Sequence, residues 1–150
     1  MQYVDSNVFL FPVLYPPDLE SKAKKAKEIL LQIENGTLLA STSTLTWDEV
    51  VWVATKLLGK TDGIMQGQKL LGFPNLKFIN VDEEVIAKAQ ALMGKYKLSP
   101  RDSIHIASAL SKKIKTILSD DADFHGIIDQ KYLHIFLLRF FNRPPPDVIH

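Results

Sequence analysis

The chain has 150 residues, 46% of them hydrophobic, so it can bury one sizeable core and is too short to divide comfortably into two domains. Its 18 basic and 17 acidic side chains leave a formal net charge of +1, so overall charge offers no grip on a polyanion and any nucleic-acid contact must come from local patches. Cysteine is absent, which excludes disulfide scaffolds, thiolate metal sites and cysteine nucleophiles and is compatible with a reducing cytoplasm.

Gln2, Tyr3 and Val4 open the chain as a short first strand, ended by Asp5, Ser6 and Asn7, residue types that favour turns and helix caps. The apolar stretch 8–15 follows an acid instead of a basic segment and is interrupted by Pro12, so a signal peptide is not expected. No other run approaches the roughly 20 apolar residues that a bilayer crossing needs, and a soluble protein is expected. Residues 18–35 carry Leu19, Ala23, Ala26, Ile29, Leu30 and Ile33 at helical spacing, with lysines on the other face and Gly36 as the stop. Residues 37–40 read as a second strand. Thr46 and Glu49 have capping-box spacing ahead of the apolar run 50–58, which predicts a buried helix.

Residues 61–71 form a helix weakened by Gly63 and Gly67, 76–81 a third strand, and 82–96 a helix whose inner stripe is Val85, Ile86, Ala89 and Leu92. Ser99, Pro100 and Asp102 suit the N-cap, the first position and the third position of a further helix, lined by Ile104, Ala107 and Leu110. Residues 114–118 are a fourth strand that runs into the polar turn 119–124. A fifth strand at 132–138 precedes the run Pro144, Pro145 and Pro146. Strands alternating with helices imply right-handed crossovers and a mainly parallel sheet of about five strands covered on both faces, an α/β class protein. In such sheets the working crevice lies beyond the carboxyl ends of the strands, where strand order reverses.

Four positions put a carboxylate at an element boundary on that rim. Asp5 follows the first strand, Glu49 and Asp102 open helices, and Asp121 follows the fourth strand. Each has a local explanation: Asp5 can cap the helix beginning near Ser6, Glu49 can close a capping box with Thr46, Asp102 stands in the same relation to Ser99, and Asp120, Asp121 and Asp123 can make a solvated turn. Together they ask for more. At about 5 Å and an effective dielectric near 20, each like-charged pair costs about 3 kcal/mol, which a divalent cation between them would relieve. Oxygen ligands without Cys or paired His favour Mg²⁺ or Mn²⁺ over Zn²⁺. Such an ion can activate a water and stabilise a phosphoryl transition state.

Four motifs then fall in an informative order: Val4-Asp5-Ser6-Asn7, Thr46-Trp47-Asp48-Glu49-Val50, the segment from Leu98 to Ala107 centred on Pro100-Arg101-Asp102, and Ile117-Leu118-Ser119-Asp120-Asp121-Ala122-Asp123-Phe124. Over nearly its whole length the chain resembles the PIN-domain ribonucleases, which include the VapC-type toxins of prokaryotic toxin–antitoxin pairs. The resemblance implies a three-layer α/β/α sandwich, often dimeric. It implies Asp5, Glu49, Asp102 and Asp121 as the catalytic, metal-binding acids, with Asp123 as a further ligand or a turn residue and Ser119 in the hydroxyl position. Asn7 would support the site without binding metal. The implied reaction is endonucleolytic cleavage of RNA by water activated on Mg²⁺ or Mn²⁺, and the implied partner is a small antitoxin protein.

Other residues read more plainly. Lys22, Lys24, Lys25 and Lys27 form a solvated helix face, His105 follows Asp102 by three residues in a supporting or core position, and Trp47 and Trp52 pack in the core. The phenylalanines of 135–141 offer apolar area for the last strand or a dimer contact. A catalytically silent RNA-binding or assembly module of the same fold is the alternative function, and retention of all the acidic positions speaks against it. A phosphoacceptor receiver domain would need an Asp after a central strand, and residues 41–43 offer none.

Overall fold

The computed structural model describes residues 1–120 and the strand His134–Leu137. Asp121 and Asp123, and the sequence expectation of a polar turn there, lie outside the described residues. Five strands, β1 (Gln2–Val4), β2 (Ala40–Ser43), β3 (Leu76–Ile79), β4 (Thr116–Ser119) and β5 (His134–Leu137), form one sheet in the order β3-β2-β1-β4-β5. Every pairing is parallel. Six helices are described: α1 (Ser6–Leu14), α2 (Ser21–Glu34), α3 (Thr44–Leu58), α4 (Lys60–Leu71), α5 (Glu83–Lys95) and α6 (Pro100–Ser111). The chain steps outward from β1 through β2 to β3, then returns to lay β4 on the other side of β1. The strand order therefore reverses beside β1.

The two-residue period of a strand sorts the core into two faces. Val4 and Leu118 face one way and pack with Val8, Ala26, Ile29, Ile33 and Val50 from α1, α2 and α3. Tyr3 and Ile117 face the other way and pack with Ile106 and Ala109 of α6. The result is the α/β/α sandwich that the alternation of elements predicts. Helix α6 begins where its cap chemistry says it should, with Ser99 Oγ accepting the Asp102 N–H at 3.2 Å and Pro100 in the first turn. Among the described residues, no helix is long and apolar enough to cross a membrane.

Several boundaries differ from the sequence reading. The second strand lies at Ala40–Ser43 instead of 37–40, and Leu39 is 61% exposed. A central strand is buried on both faces, and here small hydroxyl residues fill it because each finds a partner: Thr42 Oγ1 donates to Val4 O at 2.8 Å and lies 2.6 Å from Thr46 Oγ1. The capping box fails for the same reason. Helix α3 starts at Thr44, so Thr46 is inside its first turn, buried against Thr42, and Glu49 lies a turn further on. Within the α5 stripe Val85 and Ala89 are buried, whereas Ile86 is 45% exposed. Trp47 and Trp52 are 42% and 53% exposed instead of core residues, and Lys56 lies over the Trp52 ring at 4.8 Å.

Gly63 and Gly67, which cost helix propensity, let α4 lie directly on α3. A Cβ at Gly63 would stand 1.9 Å from Thr55 Oγ1 and 3.1 Å from Thr55 Cα. At Gly67 it would meet Val51 Cγ2 at 2.9 Å. Close backbone approach is the reason for both glycines.

Candidate metal centre

Strand β1 ends at the reversal of strand order, and the backbone N–H of Asp5 donates to Leu118 O at 3.0 Å, extending the β1–β4 ladder by one residue. That pairing fixes Asp5 at the carboxyl rim of the sheet, 4% exposed. Its side chain caps α1, as one reading of the sequence has it: Oδ1 accepts the Ser6 N–H at 2.7 Å. Capping occupies one oxygen only. Oδ2 accepts the Ser119 hydroxyl at 2.6 Å and the Asn7 amide at 3.4 Å, and the same amide donates to Ser119 Oγ at 3.2 Å. Ser119 and Asn7 thus orient the carboxylate.

Helix α3 crosses above β2 and presents Glu49 toward the same rim. With the capping box gone, no local backbone group explains this carboxylate, and its partner is His105, whose Nε2 it contacts directly. His105 is 1% exposed on the sheet-facing side of α6. Its Nε2 also lies 3.4 Å from Asp5 Oδ1. Its Nδ1 lies 2.5 Å from Tyr3 Oη, and that phenol donates to Ser43 Oγ at 2.9 Å. A phenol has one proton. Since it goes to Ser43, the Tyr3 oxygen accepts, and His105 Nδ1 is the donor in the other bond.

The electrostatics follow from burial and crowding. Burial pushes the Asp5 carboxyl above its ordinary value of 3.8, and Glu49 adds to the rise while His105, Ser119 and the Ser6 N–H oppose it. For His105 burial works against the charged ring, yet Tyr3, Asp5 and Glu49 overrule it and hold the imidazole well above its ordinary value of 6.5.

One donor atom from each of Asp5, Glu49 and His105 falls within a set whose members are all within 4.8 Å of one another. Ligands facing each other across a small divalent ion are about 4.2 Å apart at bond lengths of about 2.1 Å. Two acidic oxygens and an imidazole nitrogen at this separation fit such an ion by donor chemistry and by spacing. Two of the acids singled out by sequence, Asp5 and Glu49, are therefore brought together. Asp102 is buried at 8% exposure on α6, one turn before His105, and is not among the three clustered residues. Asp121 and Asp123 lie outside the described residues. Lys22, read from sequence as a solvated lysine, instead bonds Asp120 at 2.8 Å and ties α2 to the end of β4.

Sequence reasoning gave His105 a supporting or core position and passed over Tyr3. A signal existed for the first: a lone His between Ile104 and Ile106, one turn after an acid, needs polar partners if the helix face is buried. Nothing local marks Tyr3, whose partners lie 40 and 102 residues away.

The PIN domain sequence profile matches residues 2–128. Comparison with curated proteins returned no match. Among solved structures, FitAcB from Neisseria gonorrhoeae aligns with a TM-score of 0.66 at 17% identity, covering 93% of this chain and 99% of that one. A toxin–antitoxin complex from Klebsiella pneumoniae aligns at 0.61 with 20% identity, covering 92% and 98%. A sarcin–ricin loop cleaving toxin from Mycobacterium tuberculosis aligns at 0.62 with 13% identity, covering 78% and 87%. At these identities the structures speak for a shared fold.

Proposed function

This chain belongs to the PIN domain family, and from that premise we propose that it is a metal-dependent endoribonuclease, the toxin of a toxin–antitoxin pair, with Asp5, Glu49, Asp102 and Asp121 as its catalytic acids. The observation that carries the reading is the convergence of Asp5 and Glu49, from elements far apart in sequence, at the carboxyl rim beside β1. Capping of α1 explains one oxygen of Asp5, and it does not explain a second, part-buried carboxylate beside it. Bound at this rim, Mg²⁺ or Mn²⁺ would lower the pKa of a water and neutralise charge on a phosphodiester.

The chain supplies the rest. Asp5 would hold the ion through a carboxylate that Ser6, Ser119 and Asn7 keep in place, together with Glu49. Asp102 and Asp121, with Asp123 as a further ligand, would complete the set of metal-binding acids. A structural neighbour that is a toxin–antitoxin complex supports a small antitoxin as partner, and the absence of cysteine is compatible with a reducing cytoplasm. The exposed Trp52, Leu57, Leu58 and Ile64 of α3 and α4 offer apolar area for that partner or for a homodimer contact.

The test is cleavage of single-stranded and structured RNA with Mg²⁺ or Mn²⁺ by the wild type and by Asp5→Asn. Cleavage lost in the variant and abolished by chelation is the expected result. Equal rates for the two proteins, or no cleavage by either with any metal, would sink it.

A further inference from the structure

We infer that His105 is a nitrogen ligand of the bound ion, so that the centre is a mixed imidazole–carboxylate site that prefers Mn²⁺ to Mg²⁺. The inference rests on the metal-dependent reading above and adds to it the identity of a ligand and of the metal.

The argument starts from the hydrogen-bond chain. Tyr3 donates to Ser43, so His105 Nδ1 must carry the hydrogen that points at Tyr3. The neutral ring then has its lone pair on Nε2. That lone pair faces Glu49 Oε1 and, at 3.4 Å, Asp5 Oδ1. Three acceptors at close range repel unless a proton or a metal ion lies between them, and at 1% exposure His105 receives no bulk water to relieve this. A metal ion satisfies all three at once. The arrangement behind the ring is the one metal-binding histidines use, in which the distal N–H is tied down so that tautomer and ring angle are set before the metal arrives. Tyr3 is fixed in turn: it is fully buried in the central strand, its ring meets His105 edge-on at 5.7 Å, and Ser43 takes its proton.

The separations are suitable. Adjacent ligands on an octahedral ion with bonds of about 2.1 Å lie about 3 Å apart. The 3.4 Å between His105 Nε2 and Asp5 Oδ1 is close to that. The contact with Glu49 is shorter and must open, which a Glu side chain 16% exposed on the rim can do by rotation. Imidazole is a softer donor than carboxylate. It strengthens binding of first-row transition ions and does little for Mg²⁺, which prefers oxygen and retains its waters.

The experiment is electron spin echo envelope modulation of Mn²⁺ bound to the full-length wild-type protein, with His105→Gln and Tyr3→Phe as variants and circular dichroism as the check on folding. A nitrogen-14 modulation from directly bound imidazole in the wild type, absent in His105→Gln, is the expected result. Tyr3→Phe should keep the modulation and lose about tenfold in Mn²⁺ affinity, since the ring remains but its tether is gone. Titrations should show Mn²⁺ bound more tightly than Mg²⁺ by wild type, with the gap narrowed in His105→Gln. Should His105→Gln fail to fold, nitrogen-15 labelling of histidine in a protein with His125, His134 and His150 replaced by Gln must still change the modulation. Mn²⁺ bound with no nitrogen modulation, or with one that persists in folded His105→Gln, overturns the inference and leaves the ribonuclease reading standing. Failure to bind Mn²⁺ at all overturns both.

Discussion

Replacing Asp5 by Asn should make the metal-free protein more stable and the metal-loaded protein less so. At an effective dielectric near 20, a protonated His105 at 3.4 Å attracts the Asp5 carboxylate by about 5 kcal/mol, and Glu49 within 4.8 Å repels it by about 3.5 kcal/mol or more. The two leave at most about 1.5 kcal/mol in favour of charge. Desolvating a buried carboxylate costs several kcal/mol, which is more, and accordingly the Asp5 pKa is raised. A raised folded value means that the native state holds this proton more tightly than the unfolded chain does. The associated stability is present below pH 3.8 and is lost as pH rises through the folded value. Asparagine removes that loss and caps a helix as well as aspartate does. We expect a gain of about 1 kcal/mol at neutral pH, a rise in Tm of about 2–4 °C in chelator, shrinking to nothing toward acid. With Mn²⁺ at a hundred times its Kd, the wild type should gain about 2.7 kcal/mol and Asp5→Asn almost none, so the order of the two Tm values inverts. Differential scanning calorimetry in chelator and in Mn²⁺ decides it. A variant that melts below wild type in chelator, or that keeps the wild-type shift with Mn²⁺, refutes the reasoning.

Two other substitutions test the frame around the site. Gly63→Ala gains about 1 kcal/mol of helix propensity but drives a methyl into Thr55, including its Cα, which no rotamer change relieves; we expect a net loss of about 1–2 kcal/mol by urea denaturation. A stabilised variant would show that α3 and α4 part freely. Thr42→Val leaves Val4 O and Thr46 without their buried partner and should cost about 1–3 kcal/mol in the same assay, so a neutral result would mean that the hydroxyl ladder under Glu49 contributes nothing.

Periodicity and caps made much of the fold legible before any coordinates. Leu19 to Ile33 has a helical stripe, Ser99 and Pro100 are an unambiguous start, and alternation of strand and helix dictates a parallel sheet. What escaped was set by partners distant in sequence. Leu38 and Leu39 look more strand-like than Ser41, Thr42 and Ser43, and only the neighbours Val4, Tyr3 and Thr46 make a buried hydroxyl strand cheap. Glu49 carried a capping-box pattern that a start at Thr44 makes void. Asp5 was legible as an acid after a strand. His105 was not, because its role depends on Tyr3 and on a tautomer that no local pattern reveals. Gly63 and Gly67 appear as helix weakeners until Thr55 and Val51 are seen against them.

The interleaving of the strands has a bearing on how the protein is made. Asp5 is oriented by Ser119, 114 residues later, and Glu49 meets His105, 56 residues later. During synthesis Asp5 is made 114 residues before its orienting hydroxyl exists. Any nascent fragment short of α6 lacks His105, and one short of β4 lacks the strand that seats Asp5 at the rim. Completion of the centre is thus coupled to synthesis through β4, so a ribosome that has not reached that strand holds a chain whose site is unbuilt.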